Sequence, residues 1–240
     1  MTQLRLNPAI DVQAYARTYA ANKVVQIPNL FEPEIAEALE RVLLGAPWKL
    51  LCQNEFGENI LLSQEQLKIM RPEARKELED GIRERAARNL GYTYYAYPMI
   101  EALKRGDNRE HPIHALTMFL NSPEFVAFAR ALISDPRVTK IDAHASNYQR
   151  GHYLTRHVDD GAQKERRAAY TIGFSRNWQP DWGGLLAFLD DNLDFKRAYI
   201  PRFNTLTVFD GLMPHTVTSV SSFAPNGRIS VAGWFRDDPL

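Results

Sequence analysis

From residue 138 onward the chain is a succession of short β-rich stretches bounded by turn residues, and this rhythm limits the fold more than any other feature. The stretches are 139–148, 152–158, 168–175, 185–189, 197–200, 205–209, 215–220 and 228–235. Between them lie Gly183-Gly184, Asp190-Asp191-Asn192, Pro201, Asp210-Gly211 and Pro225-Asn226-Gly227, residue types that stop or turn a strand. Strands this short bury a face only by packing sheet against sheet, and about eight of them is the number a double-sheet jelly roll uses. The expected fold is therefore mainly β, a double-stranded β-helix (jelly roll), with N-terminal helices buttressing one sheet.

The helices are read from residues 1–137. Asp11 is placed to cap a helix that carries Val12, Tyr15, Ala16 and Tyr19 on one face. Val24 to Ile27 reads as a short strand ended by Pro28. Pro33 suits the first turn of a helix with Ile35, Leu39, Val42 and Leu43 as its stripe and Gly45 as its stop. Ser63 and Gln66 have capping-box spacing, Pro72 opens a charged helix running toward Leu90, and Ser122-Pro123 opens another. Four tyrosines crowd the segment 92–97, where they serve either packing or the lining of a groove. The chain reads as one domain, 1–240, with a helix-rich part (1–137) and a jelly-roll core (138–240).

Composition narrows the function. Lys+Arg and Asp+Glu both number 29, so net charge gives no case for nucleic acid. One cysteine, Cys52, excludes an intrachain disulfide and a zinc–thiolate cluster, and it reads as a core residue. The start, MTQLRLNPAI, lacks a signal-peptide core and no run approaches a membrane span, so the expectation is a cytoplasmic protein without membrane contact. Phosphate-loop, dinucleotide and nucleophile-elbow motifs do not occur. His111 and His114 flank Pro112 without a carboxylate partner and make a poor metal pair.

The chemistry concentrates in NYQRGHYLTRHVDD, residues 147–160. His157 and Asp159 stand two apart, and in a β-strand such residues share a face while Val158 packs behind. Taken alone, H-x-D is a common surface or capping pair. His215, after the turn of GLMPHTVTSV, supplies a third donor or else is a satisfied core histidine. Two histidines and one carboxylate are the donors of the non-haem Fe(II) facial triad, which leaves metal positions open. Thirteen positions after His215 comes Arg228, with Ser230 at i+2. A guanidinium and a hydroxyl on one strand face make a fork for a carboxylate, or a pair for an edge aspartate.

With these motifs in hand, NYQRGHYLTRHVDD, GGLLAFLD, PHTVTSV and GRISVAGWF, the stretch 142–235 resembles the Fe(II)/2-oxoglutarate-dependent dioxygenase superfamily, in its prolyl hydroxylase branch. GRISVAGWF looks most like the closing strand of the catalytic domain of fungal-type ribosomal prolyl hydroxylases, and YARTYAANKVVQIPNLFEPEIAEAL is similar to their helical lead-in. The resemblance implies His157, Asp159 and His215 as iron ligands. It also implies Arg228 on the distal carboxylate of 2-oxoglutarate with Ser230 in support, and Tyr148 near co-substrate or substrate. Trp234, Tyr153 and Tyr170 become candidates for the substrate pocket, Tyr170 being nearest to the family's second co-substrate tyrosine. The implied cofactor is Fe(II), with 2-oxoglutarate and O2 as co-substrates and ascorbate as a stimulant. The implied reaction is hydroxylation of an aliphatic C–H, most simply a prolyl residue of a protein or peptide. The alternatives are a small-metabolite hydroxylase, a jelly-roll metal protein using Zn(II) or Mn(II) without oxygenase activity, and a binding module that has kept only the fold. Loops 161–166 and 177–182 are the expected determinants of substrate.

Overall fold

The computed structural model describes residues 3–159 and 164–238. Its first part alternates helices and strands: α1 (Val12–Asn22), β1 (Val24–Pro28), α2 (Pro33–Leu44), β2 (Lys49–Gln53), β3 (Asn59–Leu62), α3 (Gln64–Ile69), α4 (Pro72–Ala87), β4 (Tyr92–Tyr97), α5 (Met99–Arg105), α6 (Ile113–Leu120) and α7 (Pro123–Ile133). The second part is nearly all strand. It comprises β5 (Lys140–Ile141), β6 (His144–Tyr148), β7 (Tyr153–His157), β8 (Arg166–Gly173), β9 (Leu186–Leu189), β10 (Phe195–Tyr199), β11 (Thr205–Phe209), β12 (His215–Val217) and β13 (Arg228–Arg236).

The strands join into one curled antiparallel sheet in the order β1-β11-β8-β13-β6-β4-β7-β12-β9-β10, with β2 on β4, β3 on β2 and β5 on β13. This is the jelly-roll arrangement expected from the rhythm of the strands. The helix-rich part also contributes sheet: β1 extends one edge by pairing with β11, and β4 links β6 to β7. The hairpin β2–β3 was not legible, and the tyrosine segment is a strand, β4, that serves both readings: Tyr97 packs in the main core while Tyr92 and Tyr94 line the cavity. The stretch 139–148 is broken after Ile141, where the Asp142 carboxylate accepts from the N–H of Ala143.

Local sequence explains the helices. The Asp11 side chain accepts from Ala14 N–H, and Ser63 with Gln66 forms both bonds of the capping box. Ser122 caps α7, and Pro33, Pro72 and Pro123 open their helices, where a missing N–H costs nothing.

The parity of β13 decides which face does what. Ile229, Val231 and Phe235 point into the main core, with Leu39 and Leu43 of α2, Phe119 of α6 and Phe125 of α7. Phe125 meets Phe235 edge-on at 6.5 Å. The residues between them, Arg228, Ser230, Ala232 and Trp234, face the hollow of the curled sheet. Helices thus cover one face and leave the other to enclose a site.

Candidate metal and co-substrate site

The hollow is a cavity of about 660 Å³. On one wall, β7 and β12 pair so that His157 and His215 are direct cross-strand partners with ring centroids 4.2 Å apart. Each ring makes the same bond: Nδ1 of His157 donates to Thr155 O at 2.9 Å, and Nδ1 of His215 to Met213 O at 2.8 Å. A carbonyl accepts only, so Nδ1 carries the proton and the Nε2 lone pair of each ring is left for a metal. His215 is buried against the rings of Phe209 and Phe188. Burial first, and the neighbouring His157 second, pull its pKa down to about 3, so the imidazole is neutral, the form a metal takes.

Asp159 completes the group, though not as an i+2 strand partner. β7 ends at His157, and Asp159 lies beyond it, held by its N–H donating to Gly211 O at 2.9 Å. Val158, expected to pack behind, is 47% exposed. The Asp159 carboxylate is buried, and the ligand atoms of His157, Asp159 and His215 all lie within 4.8 Å of one another. Among the described residues this is the one group of three or more such donors able to hold a metal ion.

The opposite wall carries the guanidinium. Arg228 opens β13 opposite Tyr148 of β6 and is 4% exposed. It lies 5.0 Å from the Tyr148 ring, which stacks on Tyr94 at 4.5 Å. Nη1 donates to Ser230 Oγ at 3.1 Å, and that hydroxyl meets Ser146 Oγ at 2.9 Å. Its Nε is buried without a partner, and no carboxylate among the described residues pairs with it. Burial lowers the guanidinium pKa, the mark of a desolvated cation. A buried cation of this kind is suited to an anion from solution, and the neighbouring hydroxyls suit a carboxylate. Thr171 of β8 adds another buried hydroxyl without a partner on the cavity wall.

The GGLLAFLD segment shapes this end. Gly183 and Gly184 have φ of +65° and +61°, a region that favours glycine. A Cβ on Gly183 would sit 2.0 Å from Ser219 O, and one on Gly184 would sit 3.1 Å from the Arg228 side chain. The pair lets the backbone run tight against the arginine.

Comparison with known proteins agrees with this geometry. Residues 143–236 match the 2OG-Fe(II) oxygenase superfamily. The superfamily likeness read from the sequence holds over this part of the chain, and the superfamily implies Fe(II), 2-oxoglutarate and O2. No curated protein matches. Among solved structures, a prolyl-4-hydroxylase from Pseudomonas putida is similar over 99% of this chain and 100% of its own, at 16% identity and a TM-score of 0.59. A prolyl hydroxylase from Trichoplax adhaerens, solved with a hypoxia inducible factor peptide fragment, is similar over 94% and 89%, at 16% identity and 0.57. A 2OG-Fe(II) oxygenase family protein from Burkholderia pseudomallei follows at 12% identity, 98% and 94% coverage and 0.55. At these identities the likeness shows a shared fold.

Within this fold the aromatic candidates part company. Trp234 lines the cavity, as do Tyr148, Tyr94 and Tyr92. Tyr170 does not present its ring there: β8 pairs Gly173, Thr171 and Ala169 with Ser230, Ala232 and Trp234, so those residues share the cavity face and Tyr170 takes the other. Its ring stacks on Phe235 at 5.3 Å and its hydroxyl donates to Asp142 O. Tyr170 thus borders the cavity with its ring turned away, whereas Tyr153 is not among the cavity residues; its hydroxyl reaches the Ile82 carbonyl and ties α4 to the sheet. Thr171 escaped the sequence reading, although alternation within 166–173 carries the signal, and Tyr94 was read only as one of the four tyrosines of 92–97. His144, read as structural or at a pocket rim, lines the cavity beside Trp234 and Tyr94. Part of the loop 161–166 lies outside the described residues. No helix among the described residues is long and apolar enough to cross a membrane.

Proposed function

We propose that this protein is a 2-oxoglutarate-dependent dioxygenase that hydroxylates a prolyl residue of a protein or peptide. The observation that carries the oxygenase reading is the pairing of two features in one cavity: a metal-competent His157–Asp159–His215 group and, across from it, a buried guanidinium without a carboxylate partner among the described residues. A hydrolase or isomerase using the same triad has no need of a desolvated Arg228 facing the metal, and a binding module needs neither. The residues fit the groups that the superfamily implies. The Nε2 atoms of His157 and His215 and the Asp159 carboxylate would hold Fe(II). Arg228 and Ser230 would hold the distal carboxylate of 2-oxoglutarate, with Tyr148 packed against the guanidinium.

Bound there, iron with 2-oxoglutarate and O2 supplies the oxidation of an aliphatic C–H, with succinate and CO2 as co-products. The chain's own task is orientation. The backbone acceptors Thr155 O and Met213 O fix both imidazoles, Phe188 and Phe209 keep water from His215, and the parity of β13 aims Arg228 and Trp234 inward. The prolyl assignment is supported by the fold shared with two prolyl hydroxylases and by the cavity's mouth. Gln53 of β2, Arg85 of α4 and the exposed Asn89 and Leu90 border it, a rim drawn from separate elements that suits an extended chain.

The test is anaerobic addition of Fe(II) and 2-oxoglutarate to wild type and Arg228→Ala, followed by visible absorption. A charge-transfer band in wild type that is lost in the variant is the expected result. No band in wild type with metal bound would remove the oxygenase reading. Proline-containing peptides that gain one oxygen, with matching succinate, would then establish the prolyl substrate.

A further inference from the structure

The wall that carries His157 and His215 consists of β7, β12, β9 and β10, side by side in that order. Its inward side is fixed by His157, His215 and Phe188, which are cross-strand neighbours. Alternation turns the residue next to each of them outward. Val158 follows His157, Pro214 precedes His215, Leu189 follows Phe188, and Phe195 pairs with Leu189. Backbone bonds hold this row together: Leu189 N–H donates to Pro214 O at 3.0 Å, and Asp159 N–H to Gly211 O at 2.9 Å, which brings Leu212 up to Val158.

The outcome is an apolar row on the outside of the molecule. Phe195 is 61% exposed, Leu193 in the turn before it 54%, Val158 47% and Leu212 45%. Single apolar side chains are ordinary on a surface, but a contiguous group marks a place where something packs. The helices do not supply that cover, because their apolar stripes are spent in the main core against β1, β11, β8, β13 and β6.

The charges at the two ends of the row point to the occupant. At the β10 end the turn carries Asp190, Asp191 and Asp194. Asp190 is employed inside the turn, where its Oδ1 accepts from the N–H of Asn192 and of Asp194. Asp191 and Asp194 are exposed. At the β7 end stands Arg156, exposed and turned outward because it adjoins the inward His157. A face that is acidic at one end, basic at the other and apolar between is complementary to itself.

We infer that the outward face of β7, β12, β9 and β10 joins two copies of this chain in a two-fold dimer. The axis runs along the strands between β12 and β9, so that β10 of one copy lies on β7 of the other. Phe195 then packs on Val158 of the partner subunit, and Asp191 and Asp194 meet Arg156 of the partner subunit, each contact occurring twice. The inference is independent of the oxygenase reading. It bears on the site all the same: Arg156 and Val158 also border the cavity, so the second copy stands at its mouth. Four strands at about 4.8 Å spacing span only about 15 Å, the small end of interface size, so the expected dissociation constant is on the order of micromolar.

Sedimentation velocity of the full chain, from micromolar to several hundred micromolar, tests this without any ligand. Wild type is expected to pass from monomer toward dimer over that range. Phe195→Glu should stay monomeric throughout. Reversing the acidic end (Asp191→Arg with Asp194→Arg) should raise the dissociation constant about tenfold or more, and so should Arg156→Asp alone, because each sets like charges together across the axis. Combining all three substitutions puts opposite charges together again and should recover most of the wild-type association, a rescue that a merely destabilised face would not show. Thermal unfolding at the lowest concentration checks that every variant is folded. A wild type that is monomeric at every concentration, a dimer that survives Phe195→Glu, or a triple variant no better than Arg156→Asp would each overturn the inference.

Discussion

Replacing Arg228 with methionine should make the metal-free protein more stable and the loaded protein less so. Arg228 is 4% exposed, and burial weakens its hold on the proton. Among the described residues its one hydrogen-bond acceptor is the Ser230 hydroxyl, and Nε has none. An ion kept from water with so little compensation costs several kcal/mol, and an apolar side chain of similar length removes that cost. Against this, the variant loses the bond to Ser230, about 1.5–3 kcal/mol, and the contact with the Tyr148 ring, about 1 kcal/mol. The balance is a metal-free variant about 1–2 kcal/mol more stable than wild type, a rise in Tm of about 2–8 °C for a chain of this size. Adding Mn(II) and 2-oxoglutarate reverses the order. Wild type gains about 2.7 kcal/mol when 2-oxoglutarate stands at a hundred times its Kd. The variant, without the guanidinium, gains almost nothing from 2-oxoglutarate beyond what the metal alone confers. The assay is urea or thermal unfolding of both proteins, metal-free, with Mn(II), and with Mn(II) and 2-oxoglutarate. Equal 2-oxoglutarate shifts in the two proteins would falsify the assignment of Arg228 to the co-substrate, and a metal-free variant well below wild type would show that the cation is satisfied after all.

Other perturbations read other parts of the site. Gly184→Ala places a methyl 3.1 Å from the Arg228 and Val220 side chains at a φ of +61°; it should cost about 1 kcal/mol or more and weaken 2-oxoglutarate binding, measured by calorimetry. Tyr170→Phe deletes the bond to Asp142 O and should lower stability by about 1 kcal/mol while leaving turnover unchanged; a fall in kcat would return Tyr170 to the pocket. His152 accepts from the Gln149 N–H through Nδ1, and burial lowers its pKa from 6.5 to about 4. The unfolded chain therefore binds the extra proton first, so this contribution is complete above pH 6.5 and is lost as the pH falls through about 4. His152→Gln should flatten the acid limb of the stability profile of the metal-free protein, and an unchanged limb would assign the loss to other histidines.

Much of this architecture was legible because it rests on local chemistry. Turn residues at regular spacing mark the strands, and caps at Asp11, Ser63 and Ser122 mark the helices. What escaped depends on pairing. The hairpin β2–β3, KLLCQ and NILL, is too short and too evenly apolar to announce an alternating face, and it is held by β4 from outside its own sequence. The same holds for side-chain direction. Tyr170 and Thr171 differ by one position, and only the register with β13 decides which of them meets the cavity. The H-x-D motif named residues that the structure does bring together, but through an incomplete cause. Its two side chains converge because a strand ends at His157 and the next turn is pinned to Gly211, not because two strand residues share a face.

The separation of His215 from Arg228 follows from the same topology. β12 pairs with β7 and β9, whereas β13 pairs with β6 and β8, so the connection 218–227 carries the chain from one side of the curled sheet to the other. That passage is narrow: Gly183 bridges to Val220, and a Cβ on Gly227 would lie 2.2 Å from Asn147 Oδ1. A ligand that chelates a metal at His157, Asp159 and His215 and also reaches Arg228 must therefore span the cavity between facing walls. A dicarboxylate with its chelating atoms at one end and a carboxylate at the other meets that demand, and a monocarboxylate of half the length does not. Pyruvate in place of 2-oxoglutarate should consequently bind the Mn(II) protein far more weakly, and its affinity should be indifferent to Arg228→Met. A loss of pyruvate affinity in that variant would mean that the two ends of the site are not separate.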